Sequence, residues 1–209
     1  MNYCPQLEEI KTLNDYRGNF EYYNDYLYEI FKSDLYNNKL IYRGRPVSLK
    51  RYPENDGKEF SFLHLTSKDF QHTGNEDERL PDLRRCERLH WIKPGIETNH
   101  LEKCKQDCFL TYIKPYKNKD RYHLLNYEDR YMIVLEDRKK YFLLITAYYI
   151  EYDNTLERKL KEYQKYREWK IVKNTKCKKR PHKSRGAFEI SFNNMVDELL
   201  ILYGRKSEK

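Results

Sequence analysis

The sequence predicts an α+β fold: an antiparallel sheet of about four or more strands with helices packed on one face, an N-terminal helix and a basic C-terminal segment. Three observations carry this expectation. Apolar residues recur at helical spacing near the amino terminus and again after residue 154. Aromatic and β-branched runs, divided by short acidic turns, fill residues 122–150. Positive charge gathers late in the chain: Lys173, Lys176, Lys178, Lys179, Arg180, Lys183 and Arg185 stand in a stretch, 171–188, that contains no acidic residue.

Phe20, Tyr23, Leu27, Ile30 and Phe31 recur every three or four residues, so 19–35 reads as an amphipathic helix that Asn37-Asn38 ends. Short strands at 39–43 and 46–51 flank a turn at Gly44. A third strand, 58–65, follows the Asn55-Asp56-Gly57 turn. Its alternation would put Phe60, Phe62 and His64 on one face and Ser61, Leu63 and Leu65 on the other. Residues 67–81 are polar, contain Gly74-Asn75-Glu76-Asp77 and read as a loop. A short helix at 82–90, ending before Lys93-Pro94-Gly95, would stack Arg84 on Arg88 with Arg85 in the same turn.

The runs 122–127, 131–135 and 141–150 then form a three-stranded antiparallel meander at the centre of the sheet. Asn154 and Glu157 make a start resembling a capping box for a charged amphipathic helix reaching about residue 170, with Leu156, Leu160 and Tyr163 on its apolar stripe. After the basic stretch, 188–192 suits a strand and 195–203 a short helix stopped by Gly204. The expected organisation is a helical segment (1–37), a core (38–170) and a basic segment (171–209), all within one compact domain.

Composition sets the boundaries. With 209 residues, 21 Tyr, 9 Phe and 2 Trp the chain can bury a real core, which excludes disorder. The balance of 41 Lys+Arg against 33 Asp+Glu gives +8, nearly all of which the basic stretch would account for, and it favours a phosphate-bearing partner. No apolar run approaches the roughly 20 residues of a membrane helix. The first residues do not resemble a secretory signal, and the 5 Cys lack framework spacing. These features lead us to expect a cytoplasmic protein with no membrane partner.

No glycine-rich phosphate loop and no G-x-S-x-G elbow occurs, which excludes nucleotide hydrolysis of the P-loop type and the usual hydrolase nucleophile. Three elements offer chemistry: His64; the cluster Arg84, Arg85 and Arg88; and Thr146 with Tyr148 at the end of the longest strand. An imidazole, guanidiniums and hydroxyls suit metal-free RNA cleavage. A base near neutrality takes the 2′-OH proton and cations hold the phosphorane. Lys68, Arg121 and His123 are further candidates for RNA contact, together with Lys176, Lys178, Lys179, Arg180 and Lys183. The structural alternatives are a core or edge histidine, an arginine face paired with Asp82 and Glu87, and ordinary strand-forming Thr and Tyr. A rival set, Cys86, His90, His100, Cys104 and Cys108, could hold zinc, although its spacing matches no paired-ligand pattern. No metal or cofactor is expected.

Two segments add a resemblance. Phe60-Ser61-Phe62-Leu63-His64-Leu65-Thr66-Ser67 leads to Arg79-Leu80-Pro81-Asp82-Leu83-Arg84-Arg85-Cys86-Glu87-Arg88-Leu89-His90-Trp91-Ile92-Lys93-Pro94. Later come Arg121-Tyr122-His123-Leu124-Leu125 and Tyr141-Phe142-Leu143-Leu144-Ile145-Thr146-Ala147-Tyr148-Tyr149. These resemble the phage-borne branch of the barnase–EndoU–colicin–RelE ribonucleases over about residues 38–165. The resemblance implies a helical layer on an antiparallel sheet of about four strands, RNA lying across the sheet, and cleavage without metal by scattered His, Lys, Arg, Ser/Thr and Tyr residues. A toxin or defence endoribonuclease acting on tRNA or mRNA would follow, with a neutralising antitoxin or immunity protein as partner. The alternatives are a non-catalytic RNA- or protein-binding module of a mobile element and a zinc-stabilised interaction domain.

Overall fold

A computed structural model describes residues 4, 7–71, 73–75, 78–97 and 108–177. The chain divides into two units, Met1–Trp169 and Lys170–Lys209. In the second, only the end of one helix is described.

Helix α1 (Phe20–Ile30) starts at Asn19, whose side chain accepts the Tyr22 N–H at 3.1 Å, and it runs on into a π-helical turn at Phe31–Tyr36. Its buried stripe is Tyr23, Leu27, Phe31 and Leu35, the i, i+4 row that the apolar periodicity predicts. Strands β1 (Ile41–Tyr42) and β2 (Arg45–Ser48) form a tight hairpin. Arg43 (φ 49°) and Gly44 (φ 75°) both take the left-handed conformation that a two-residue hairpin turn needs.

Residues 58–65 are not a strand. Helix α2 (Phe60–Thr66) occupies this stretch and buries Ser61, Phe62, Leu65 and Thr66, a stripe at helical spacing. The alternation of Phe60, Phe62 and His64 is therefore misleading: Phe60 and His64 lie one turn apart with stacked rings, 5.5 Å between centroids. The ends of the expected 67–81 loop pair as a two-stranded ribbon, β3 (Ser67–Lys68) with β4 (Leu80–Pro81). Helix α3 (Leu83–Cys86) follows at the cap Asp82, which accepts the N–H groups of Arg84 and Arg85. Lys93-Pro94-Gly95 does not break the chain. After a 3-10 turn (Leu89–Trp91), helix α4 (Ile92–Ile96) passes through it. Pro94 sits in the first turn of α4, where an N–H finds no partner within the helix itself.

The main sheet has six strands in the order β1-β2-β8-β7-β6-β5. The expected meander is present as β6 (Lys119–Asn126), β7 (Tyr131–Asp137) and β8 (Phe142–Tyr149), all antiparallel. Strand β5 (Leu110–Tyr116), which the sequence reading did not assign, pairs antiparallel with β6 along its length. It is the edge strand, where Pro115 is tolerated. The sheet is mixed rather than purely antiparallel, because β2 lies parallel to the start of β8, Val47 opposite Phe142 and Ser48 opposite Leu143.

Strand β7 is buried on both faces. Tyr131, Ile133 and Leu135 pack in one core with residues of α1 to α4, while Met132 and Val134 pack with Leu156 and Tyr163 in another. Those two residues belong to α5 (Asp153–Cys177), so a helix also covers the second face. The candidate segments 188–192 and 195–203 lie outside the described residues.

Candidate functional site

The outer edge of β8 pairs with β2 only at Phe142 and Leu143. From there on no strand covers it among the described residues; α2 and α3 pack against β8 instead. Within β8 the register with β7 slips between Val134 and Leu135, which face Thr146 and Leu144, so Ile145 is the extra residue of a bulge. The bulge reverses the alternation. Phe142, Leu144 and Ala147 all join one core, while Ile145 and Tyr148 pack with the other.

A cleft of about 720 Å³ lies at this end of β8, and its lining includes His64 and Lys68, Arg79, Arg84 and Arg85, and Thr146 and Tyr148. Five of the six residues expected to act together therefore share one cavity. The sixth, Arg88, does not line it. Its guanidinium donates to Glu87 (3.0 Å) and to the Arg84 carbonyl (3.1 Å), and it lies over the Tyr149 ring at 4.5 Å. Lys68, a further RNA-contact candidate, also borders the cleft. Phe70 and Tyr152 form exposed aromatic parts of the rim, 50% and 65% accessible.

Lys68, Arg79, Arg84 and Arg85 face three carboxylates in the lining, each already engaged. Asp69 accepts the backbone N–H groups of Gln71, Thr73 and Gly74. Asp82 caps α3 and lies 3.5 Å from Arg85 Nε, and Glu151 pairs with Arg84 at 2.9 Å. Arg85 also donates to the His64 carbonyl at 2.9 Å, tying α3 to α2. Arg79 donates from Nε to Ser67 Oγ (3.1 Å) and from Nη2 to the Ser67 carbonyl (2.7 Å). This fixes a guanidinium that the sequence left in a loop. The link from Ser67 to Arg79 spans the ribbon β3–β4, and no short-range pattern marks it. Glu151 in the lining and Lys50 close by were missed for the same reason, while Tyr149, the end of the Thr146–Tyr149 run, also lines the cleft.

Burial, then the nearby charges of Arg79, Arg85 and Lys50, pushes the His64 imidazole down from 6.5 to about 4. At pH 7 it is a neutral ring, and it is a weak base until an anion in the cleft offsets those cations and lifts it toward neutrality. Burial raises the Tyr148 phenol above its ordinary value, so its proton stays on.

The remaining candidates lie elsewhere. Arg121 binds Glu136 at 3.1 Å and covers the Tyr116 ring at 3.5 Å. His123 is buried, stacked on Tyr112 at 4.9 Å, and burial pushes its ring down to about 4. Lys176 falls in the last turn of α5, whereas Lys178, Lys179, Arg180 and Lys183 lie outside the described residues. Of the zinc set, His100 and Cys104 are also outside. Cys86 is 1% exposed, donates its thiol to the Thr66 carbonyl at 3.3 Å, and has its pKa pushed up to about 12 by burial, so here it is a protonated core thiol. No group of three metal-binding side chains occurs among the described residues, and no described helix is long and apolar enough to cross a membrane. Comparison with known proteins finds no matching family model, no matching curated protein and no matching solved structure.

Proposed function

We propose that the chain is a metal-independent endoribonuclease of toxin or defence type, acting in the cytoplasm on tRNA or mRNA. One observation carries the reading: His64, four cations and the hydroxyls of Thr146 and Tyr148 line a single cleft at the open edge of β8. The resemblance of segments 60–94 and 121–149 to the barnase–EndoU–colicin–RelE ribonucleases points the same way. Neutral His64 takes the proton of an RNA 2′-OH, and the freed oxygen attacks phosphorus. Arg79, Arg84, Arg85 and Lys68 hold the phosphorane charge. Tyr148, protonated at the outset, gives its proton to the departing 5′-oxygen as the P–O5′ bond breaks. The products are a 2′,3′-cyclic phosphate and a 5′-hydroxyl. Thr146 orients the phosphate. An antitoxin or immunity protein that neutralises the enzyme would cover this cleft.

The test is incubation of the purified chain with tRNA and mRNA in excess EDTA, followed by mapping of the ends. Fragments ending in 2′,3′-cyclic phosphate are expected. Loss of all cleavage on chelation refutes the metal-free route. A second reading, an RNA-binding module without turnover, is favoured by the protein partners that Arg84 and Arg85 already hold. It predicts RNA that is bound and left intact.

A further inference from the structure

The turns at the start of β8 form a second cationic place, at the other end of that strand from the cleft. With a rise of about 3.3 Å per residue, the eight residues of β8 set the two places roughly 23 Å apart. Two hairpin tips meet here, β5–β6 and β7–β8, and Arg45 of β2 joins them around a recess of about 620 Å³. Arg45 forks onto Asp137 at 2.8 and 2.9 Å and is thereby neutralised. Glu136, 3% exposed, gathers three cations around one carboxylate: Arg138 at 2.7 Å, Arg121 at 3.1 Å and Lys119 at 3.4 Å. A single buried charge thus holds three positive side chains in place and leaves two unbalanced. Lys117, Lys139 and Lys140 add three exposed charges, and Asp120 removes one.

Arg45 with segments 116–121 and 136–141 therefore carries seven cations against three carboxylates, a net +4. Tyr116 and Tyr141 are 44% and 37% exposed there, and they are the only large hydrophobic residues exposed in these segments. An anionic membrane would attract the same cations, and the vesicle comparison below tests it. Cations interleaved with aromatic ring faces suit phosphates with unpaired bases.

We propose that this hairpin end binds the backbone of single-stranded RNA, as a surface separate from the cleft and independent of any cleavage there. The probe is a labelled 2′-O-methyl oligouridylate, which has no free 2′-OH and so reports binding alone. Lys117→Gln combined with Lys139→Gln leaves the Glu136 cluster untouched. Removing two phosphate contacts should flatten the slope of log affinity against log salt by about 1.4, at about 0.7 per contact on a single strand. Over the decade from 1 M to 0.1 M salt this amounts to about 25-fold weaker binding at the lower salt. Lys161→Gln with Lys165→Gln, on the exposed face of α5, changes net charge equally and should alter affinity far less. The proposal fails if the hairpin pair leaves affinity and slope unchanged. It also fails if the α5 pair matches its effect, or if polyglutamate or anionic vesicles bind this end more tightly than the oligonucleotide does. Loss of the cleft reading through absent cleavage would leave the binding result standing.

Discussion

Replacing His64 with Gln should flatten the acid limb of the stability profile. The native ring titrates at about 4 and an exposed one at 6.5. Below pH 6.5 the unfolded chain takes up a proton that the native protein refuses. The stabilising difference is therefore full above pH 6.5 and is lost as pH falls toward 4. The gap corresponds to about 3.4 kcal/mol at 1.36 kcal/mol per pH unit, of which about 2.6 kcal/mol is gone by pH 4.5. His123, also near 4, contributes a similar loss. Urea unfolding at pH 7.0 and pH 4.5 measures it. Carboxylates titrate alike in parent and variant and cancel, so the loss between the two pH values should shrink by about 2.6 kcal/mol in His64→Gln. A loss within about 0.5 kcal/mol of the parent's refutes the burial argument, since that is comparable to the extrapolation error. Inorganic phosphate bound in the cleft should raise the midpoint of the His64 ring in an NMR titration, because the anion offsets Arg79 and Arg85.

On RNA, His64→Ala should lower the cleavage rate about 100- to 10,000-fold with affinity nearly unchanged, whereas Arg79→Ala should weaken binding and rate together; single-turnover kinetics beside equilibrium binding separates the two. Gly95→Ala should destabilise by about 1–3 kcal/mol in urea melts, because a Cβ there would lie 2.5 Å from Ile133 Cδ1 and 2.9 Å from Phe109 Cζ. Glu136→Gln should cost about 2–3 kcal/mol at pH 7 by leaving three cations without their shared counter-charge. The same variant should lose the destabilisation that the parent shows as acid protonates Glu136, whose cations hold its carboxyl below the usual range.

Much of the frame was legible in the residue pattern. A meander has period-two runs bounded by short turns, and each strand meets its neighbour in sequence, so local pattern and pairing coincide in β6, β7 and β8. The apolar stripes of α1 and α5 were equally local, and the short helix expected at 82–90 does contain, in α3, the two cleft guanidiniums Arg84 and Arg85. What failed was decided by contacts distant in sequence. Residues 60–66 have the alternation of a strand, yet they are surrounded on several sides by α1, β8 and α3, and a helix buries Ser61, Phe62, Leu65 and Thr66 together while satisfying its own backbone. The parallel pairing of β2, the bulge at Ile145 and the anchoring of Arg79 on Ser67 each depend on a partner that no nearby residue announces. Arg88 shows the same limit from the other side. Its spacing places it with Arg84, but Glu87, Trp91 and Tyr149 hold it outside the cleft. Side-chain periodicity is a property of neighbouring residues, so it marks elements whose partners are local, as in β6, β7, β8 and α1. Which side chains converge on one cavity depends on how elements far apart in sequence pack, and the register of one residue gives no sign of that.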